Sequence, residues 1–275
     1  MLQERIKDPE FRRAVHLMDL GDVNELREHL QAHPDLVLRR VNFDGRGYFS
    51  NPSLLEFAAE NPIRHGTLPR NIEEVARVIV EAGGKADQPS LDSTLGLVSS
   101  GCVPRECGVQ VPLIHLLCDY GADPDKAMLP ALTHGEFQAV DALLARGATI
   151  TLPVAAATGR LEDARRLLTS SSPEARHVAL AFAAQNGHIE SALLLLDAGE
   201  DPSRYNPSGC HAHSTPLHQA VVYGHLAVVR LLVERGASLD VKDLIYEGTP
   251  LGWAIYAKHA KIEEYLRSVA APGGS

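Results

Sequence analysis

The residues of this sequence that are best suited to chemistry are its 13 histidines and four cysteines. Imidazole is a frequent metal ligand, and it acts as an acid or a base near neutral pH. The densest grouping is Cys-His-Ala-His at residues 210–213, which together with His134 or Tyr205 offers ligands to zinc or copper. No second cluster of matching spacing accompanies it. We therefore predict no metal ion or other cofactor, and a metal site here remains the alternative.

A second grouping contains the other three cysteines. Cys102 and Cys107 are followed by His115 and Cys118, and these four side chains could also hold zinc. The surrounding valines and leucines are typical of a core, and cysteine is among the residue types that are most often buried. Because the cysteines also lack the density and paired spacing of a disulfide framework, we predict buried, reduced thiols.

The motifs of common enzyme classes are missing from the sequence. It contains no Gly-rich phosphate loop after a strand, no Gly-x-Ser-x-Gly elbow and no His-Glu-x-x-His helix. We therefore favour a binding protein over an enzyme and predict no catalytic residue. The alternative is a site without a motif, built from loop Tyr, His and Arg residues with an acid such as Asp44 or Glu247, since a groove can also bind a small molecule.

Composition and charge narrow the class of protein further. The chain is 45% hydrophobic but only 5% aromatic, a composition that favours closely packed helices. Its formal net charge of −9 opposes contact with phosphate backbones, so we predict no nucleic-acid partner. The charged start and the absence of a long apolar run indicate no signal peptide and no membrane span. We expect a cytoplasmic monomer.

The strongest pattern in the chain is a pair of helices at residues 215–236, which read TPLHQAVVYGHLAVVRLLVERG. Thr215 can cap the first helix, with proline at its first position, and Gly224 ends it in a left-handed turn. A second helix follows from His225 and ends at the last glycine. Its buried face is predicted at Val228, Val229, Leu231 and Leu232.

This string resembles an ankyrin repeat, whose signature is Thr-Pro-Leu-His-x-Ala with a period of 33 residues. A second copy begins at Thr249 with TPLGWA, and shorter or looser copies occupy most of the preceding chain. The resemblance implies a structural role for His218, which belongs to the motif, and for the three histidines that follow a glycine. These three are His188, His225 and His259.

The resemblance implies an all-α fold, an ankyrin-type helix-turn-helix solenoid of about eight repeats with short or irregular finger loops. We predict a single continuous domain at residues 1–270 and a flexible tail at 271–275. Within the domain, we expect irregular repeats at 1–127, short repeats at 128–175 and regular repeats at 176–270.

Three long segments lie where the fingers between repeats belong. Residues 36–53, 200–214 and 240–248 are rich in Gly, Pro, Asn and Ser. The central repeats are too short for such fingers, because their turn glycines are closer together than the family period. We therefore expect a recess in the middle of the stack, flanked by long loops.

Short helix pairs must stack to bury their apolar faces, and stacking creates an extended concave surface. In the ankyrin family, finger tips and the exposed residues that end each first helix hold the partner. The resemblance thus implies that a protein or peptide binds to the concave face and the finger loops; the alternative is small-molecule or metal-dependent binding or catalysis in the groove between the long end loops. The implied partner-binding residues are Tyr48, His134, Gln185, Asn186, Tyr205, His211, His213, Tyr223, Tyr246 and Tyr256.

Overall fold

The computed structural model describes residues 2–43 and 47–270. The predicted tail at 271–275 and the candidate acid Asp44 lie outside the described residues. Within the described part, every regular element is a helix, and β pairing is limited to an isolated bridge between Arg40 and Ser53. The all-α prediction is therefore confirmed. The chain divides into two compact units, Met1–Thr149 (unit 1) and Ile150–Ser275 (unit 2).

Unit 2 consists of four helix-turn-helix pairs. Each first helix packs on the first helix of the next pair, and each second helix does the same. The pairs are α9 (Leu152–Ala157) with α10 (Leu161–Leu168), α11 (Pro173–Asn186) with α12 (Ile189–Asp197), α13 (Pro216–Val222) with α14 (Leu226–Glu234), and α15 (Pro250–Tyr256) with α16 (Ala260–Ala270).

Local sequence sets the bounds of these helices. Ser172 caps α11 by accepting a hydrogen bond from the backbone N–H of Ala175, and Thr249 caps α15 in the same way. In both helices proline follows the cap, where its missing N–H costs nothing. Gly224 lies between α13 and α14 with φ of +81°, a conformation that side chains other than glycine rarely adopt.

The buried face of unit 2 follows the predicted helical spacing. The four residues predicted on α14 are all buried. In the preceding copy, Leu195 is fully buried while Leu194 is only partly buried. The apolar stripes of successive helices form one continuous core, as expected of stacked repeats.

Unit 1 also contains pairs of helices, but its elements are less regular. One of them is a 3-10 segment, Leu55–Ala59, which ends at Glu60 in a left-handed conformation. The helices are α1 (Pro9–Leu20), α2 (Val23–Ala32), α3 (Ile72–Glu81), α4 (Gln88–Ser100), α5 (Cys102–Glu106), α6 (Gln110–Asp119), α7 (Pro124–Thr133) and α8 (Phe137–Ala145), with further 3-10 segments at Leu2–Arg5, Pro34–Val37 and Gly84–Ala86.

Aromatic packing holds the irregular part of unit 1 together. The ring of Phe57 lies edge-on to Phe11 and Phe49, with centroids 5.8 and 5.2 Å apart, and it also contacts Phe43. All four rings are buried. Edge-to-face pairs add stability beyond the area that they bury, so this cluster links Phe43 and Phe49 through Phe57 to Phe11 on α1.

The segments predicted as fingers connect helix pairs within their own units. Residues 200–214 join α12 to α13, and residues 240–248 lie between α14 and α15. The predicted central recess stays a prediction. No helix in the described ranges combines the length and the apolar character that a membrane span requires.

Candidate functional site

The histidines that follow turn glycines in unit 2 tie each helix pair to the one before it. The Nε2 atoms of His188, His225 and His259 lie 2.9–3.0 Å from main-chain carbonyl oxygens at the end of the preceding first helix. Each ring also covers the glycine of that preceding turn so closely that a Cβ atom would clash with it. These three residues therefore have the structural role that the family resemblance implies.

His218 joins two repeats through both of its ring nitrogens. Its Nε2 lies 3.1 Å from the carbonyl oxygen of Gly248, and its Nδ1 lies 2.9 Å from the hydroxyl of Thr215. Because a carbonyl only accepts hydrogen bonds, Nε2 carries the proton in the neutral ring. Burial lowers the pKa of His218, which favours this neutral form. His218 is therefore a structural residue as well.

The loop between α14 and α15 is folded around a buried carboxylate, that of Asp243. Asp243 accepts hydrogen bonds from the backbone N–H groups of Ile245, Tyr246 and Gly248 and from the indole N–H of Trp253. Burial opposes ionisation of Asp243, but these hydrogen bonds outweigh it and lower its pKa to about 2. The loop is thus locally fixed by hydrogen bonds around one side chain.

Large side chains at the tip of this loop and at two helix ends in unit 2 are exposed to solvent. Tyr246 is 78% exposed, and Leu244 and Ile245 beside it are more than half exposed. Tyr223 directly follows α13 and Tyr256 is the last residue of α15, so each lies at the end of the first helix of its repeat. They are 48% and 87% exposed. We call these five side chains the tyrosine surface.

Two other residues predicted to contact a partner are turned toward the protein. Gln185 is only 2% exposed, and its carbonyl oxygen pairs with His225. The side chain of Asn186 is half-buried and donates a hydrogen bond to the carbonyl oxygen of Phe182. Their contact with a partner stays a prediction, and the fold alone accounts for the contacts that they make within the chain.

The side chains of the alternative metal or ligand site pack within unit 2. The His213 ring lies 6.2 Å from the His211 ring and 6.0 Å from Trp253. Tyr205 donates a hydrogen bond to the carbonyl oxygen of Lys242 at 2.6 Å. Cys210 is buried, and burial raises the pKa of its thiol to about 12, which disfavours the thiolate that binds metals.

Unit 1 contains a cleft of about 790 Å³ above α4. We call four of its lining residues on α4 the floor: three are small and half-buried, and the fourth is a buried leucine. The walls include two residues that we predicted in a binding site, Tyr48 and His134. Tyr48 donates a hydrogen bond to Asn61 and is largely exposed, while His134 is exposed at the end of α7. The floor residues are Ser93, Gly96, Leu97 and Ser100.

Ion pairs stand at two places along this cleft. Lys126 binds the buried carboxylate of Asp92, and Arg105 binds the buried carboxylate of Glu136. Burial opposes ionisation of Asp92, but hydrogen bonds from the backbone N–H of Asp123 and from Lys126 outweigh it and lower its pKa. The cleft thus offers fixed charges of both signs around an apolar and hydroxyl-bearing floor.

A buried charged network lies at one edge of the cleft. The Glu60 carboxylate accepts hydrogen bonds from three backbone N–H groups of the following loop, including that of Arg64 at 2.7 Å. The Arg64 guanidinium lies 2.9 Å from both Glu60 and Asp19, and it covers the ring of Phe57. These contacts order the loop that forms part of the cleft wall.

The predicted zinc alternatives do not bring three ligand atoms together among the described residues. The three cysteines of unit 1 are half-buried rather than fully buried as predicted. Within the described ranges, three potential ligand atoms lie within 4.8 Å of one another in two other groups: Glu10, His29 and His33, and Asp19, Glu60 and His65. Arg64 supplies the positive charge in the second group. The sequence signal for the first was two histidines four residues apart, one in the last turn of α2 and one directly after it.

The chain resembles several known proteins in sequence. A family model described as "Ankyrin repeats (3 copies)" matches residues 152–243 and 180–271. The chain is 36% identical over 104 residues to XBAT31 of Arabidopsis thaliana, which covers 38% of this chain and 22% of XBAT31. It is 39% identical over 70 residues to the ankyrin repeat-containing protein P1E11.10 of Schizosaccharomyces pombe, covering 26% of this chain and 31% of that protein.

A third relative is covered more completely. The chain is 32% identical over 128 residues to cyclin-dependent kinase inhibitor 2A of Homo sapiens, which covers 45% of this chain and 78% of the human protein. By contrast, it spans less than a third of XBAT31 and of P1E11.10.

The repeated helix pairs, their Gly-His contacts and these matches define the class of protein. The chain belongs to the ankyrin repeat family. Ankyrin repeats are generally protein-interaction modules.

Proposed function

We propose that this protein binds a protein or peptide partner, and that the tyrosine surface of unit 2 is the centre of the contact. The observation that carries the proposal is the exposure of three tyrosines and two aliphatic side chains on fixed elements of one unit. Tyrosine supplies a large contact area at a low cost in side-chain entropy, and it is enriched where interfaces have their strongest contacts.

The rigidity of the elements that carry these side chains supports the proposal. Asp243 holds the loop with Tyr246 through four hydrogen bonds. Tyr223 and Tyr256 lie at helix ends that the His259 contact to the Val222 carbonyl ties together. A surface that is ordered before binding loses less conformational entropy when a partner arrives. The expected partner therefore offers apolar side chains with hydrogen-bonding groups at their edge.

The test is recovery of partners from cells with the parent chain and with a triple variant, Tyr223→Ala, Tyr246→Ala and Tyr256→Ala. Tyr120→Ala is the matched control, because Tyr120 lies in unit 1 directly after α6, a second helix, and bonds Glu81. We expect partners that the parent and the control recover to be lost with the triple variant. Equal recovery by all three chains would show that the tyrosine surface is not the contact.

The cleft of unit 1 supports a second candidate function, the binding of a small molecule. Its volume of about 790 Å³ lies in the range of ligand pockets, which commonly combine apolar walls with a few fixed polar groups. A Cβ atom on Gly96 would meet only Pro130, at 3.8 Å, so Gly96→Leu should fill the cleft without breaking α4. A fragment screen by NMR should give hits that this variant abolishes, and hits that persist in the variant would lie elsewhere.

A further inference from the structure

The first helix pair of unit 1 places three side chains with metal-binding chemistry next to one another. Glu10 lies in the first turn of α1, His29 lies in the last turn of α2, and His33 follows that helix. Both imidazoles reach the Glu10 carboxylate at the start of α1. Neither the predicted partner contacts nor the proposed function uses this group.

The distances are close to those around a bound transition-metal ion. The Glu10 Oε2 atom lies 3.4 Å from the Nε2 atom of His33 and 3.8 Å from the Nε2 atom of His29. Three potential ligand atoms, one from each residue, lie within 4.8 Å of one another. Zinc bonds of about 2.0–2.1 Å in tetrahedral geometry place neighbouring ligand atoms about 3.4 Å apart. Small movements of the side chains would therefore suffice to bring all three ligands onto one ion.

We propose that Glu10, His29 and His33 form a Zn²⁺ site that links α1 to α2. Two imidazoles and one carboxylate are a zinc ligand set that leaves the fourth position to water. The Glu10 and His33 side chains are about two-fifths exposed, whereas that of His29 is only 5% exposed. An ion thus reaches the site from solvent through two accessible ligands and meets a third that is held by the protein.

One contact in the metal-free chain competes with zinc. The Nε2 atom of His29 also lies 2.9 Å from the carbonyl oxygen of Glu10, so in the neutral ring its proton is donated there. Binding through Nε2 moves the proton to Nδ1 and replaces this hydrogen bond by a bond to zinc. Both arrangements join the same two helices, and zinc adds the carboxylate and His33 to the link.

Binding to the folded chain alone stabilises it in proportion to the logarithm of the free ion concentration over the dissociation constant. Zinc should therefore raise the thermal unfolding temperature of the parent chain. It should do so only while the three ligands are present, which separates this site from metal bound by unfolded chain.

The experiment titrates the full chain with Zn²⁺ by calorimetry and with Co²⁺ by visible absorption, a spectrum that reports coordination geometry. His33→Ala and Glu10→Gln are the test variants, because both side chains are half exposed and their loss should leave the fold intact. His16→Ala is the matched control, since His16 is an exposed histidine on α1.

We expect the parent and His16→Ala to bind one equivalent of zinc, with a Co²⁺ spectrum of nitrogen and oxygen ligands and a higher unfolding temperature. Each test variant should bind at least about tenfold more weakly and lose the thermal shift. Absence of saturable binding by the parent would overturn the proposal, and so would unchanged affinity in His33→Ala, which would assign the ion to other residues.

Discussion

The two units differ in the residue that stands immediately before each second helix. In three of the four helix pairs of unit 2 it is His188, His225 or His259, and each ring pairs with a main-chain carbonyl of the preceding helix pair. In the first pair it is Arg160. In unit 1 the corresponding residues include Asn71 before α3 and Glu136 before α8. Asn71 preserves the contact, because its amide donates to the carbonyl oxygen of Gly21 at 2.8 Å.

Glu136 cannot make that contact, because a carboxylate only accepts hydrogen bonds. It pairs instead with Arg105 and with the amide of Gln110. Gln110 in turn donates to the carbonyl oxygens of Val98 and Gly101. An imidazole ring thus connects two repeats by itself, whereas a buried carboxylate requires a cation from elsewhere. The contacts between repeats in unit 2 therefore use a short sequence motif, Gly-His, whereas the contacts of Glu136 in unit 1 use side chains that are distant in the chain.

The largest expected effect comes from breaking one such pair in unit 1. Glu60→Gln removes the charge opposite Arg64, and both side chains are buried. Arg64 then keeps only Asp19 as a charged partner, and the three backbone N–H groups that bond Glu60 lose a charged acceptor. Breaking a buried charged group apart in this way is strongly destabilising, so we expect a loss of about 3 kcal/mol in the free energy of unfolding. Urea unfolding should be followed by circular dichroism and by fluorescence of Trp253, the one tryptophan of the chain, which lies in unit 2.

The circular dichroism transition of Glu60→Gln should move to lower urea while the Trp253 transition stays in place. Arg77→Gln is a suitable control, because Arg77 forms an exposed ion pair with Glu73, and such pairs contribute little. If both probes shift together in Glu60→Gln, the units do not differ in the way proposed, and their stabilities are coupled.

A smaller effect tests the histidine contact of unit 2. A Cβ atom at Gly187 would lie 2.6 Å from the His225 ring, and Gly187 has φ of +75°. Gly187→Ala should therefore cost about 2 kcal/mol, of which backbone strain is one part and the ring contact the other. Gly199→Ala is the control for strain alone, because Gly199 has φ of +91° and a Cβ atom added to it would have no neighbour within 4 Å.

The double variant Gly187→Ala/His225→Ala completes the cycle. Removing the ring relieves the contact, so the combined loss in urea unfolding should be smaller than the sum of the two single losses. An additive result, or equal losses in Gly187→Ala and Gly199→Ala, would mean that the ring and the glycine are not packed as described.

The smallest expected effect is a difference between the units in their response to pH. Burial lowers the pKa of His177, His218 and His225, all in unit 2. The unfolded chain then binds more protons, so the stability of unit 2 is complete above the ordinary histidine pKa of about 6.5 and decreases as the pH falls below it. In unit 1 burial raises the pKa of Asp19. The folded chain then binds more protons at this carboxyl group, so its contribution to stability increases as the pH falls.

The urea concentration at the midpoint of the Trp253 fluorescence transition should therefore decrease when the pH is lowered from about 7.5 to about 5.5. In His225→Ala that fall should be smaller, because one of the three groups no longer titrates. A midpoint that does not change over this range would contradict the assignment of buried, neutral histidines in unit 2.

The regular half of the fold could be predicted from sequence because its determinants are close together in the chain. Thr215, Pro216 and Gly224 set the ends of a helix through local backbone geometry. His218 and His225 could be assigned to the structure through the family resemblance. The irregular repeats predicted at 1–127 had no such local signals, and the 3-10 segment Leu55–Ala59 within them packs against aromatic rings that are distant in the chain.

The residues of the candidate sites also divide into those that the sequence predicts and those that it does not. The positions of Tyr223 and Tyr256 were predictable, because the repeat register places them at corresponding helix ends. The burial of Gln185 was not, because that position is occupied through contacts with the neighbouring repeat. The pairing of Glu10 with His33 and that of Glu60 with Arg64 and Asp19 were also not predicted.

The sequence by itself determined the helix pairs of unit 2, their turns and the family to which the chain belongs, because caps, turn glycines and apolar spacing act over a few residues. Only the tertiary structure decided which charged side chains meet in unit 1. Asp19 and Arg64 are distant in the chain, and their ion pair exists only because α1 and the loop after Leu55–Ala59 pack together. Side chains from distant segments carry no local signal of their partners until the fold brings them into contact.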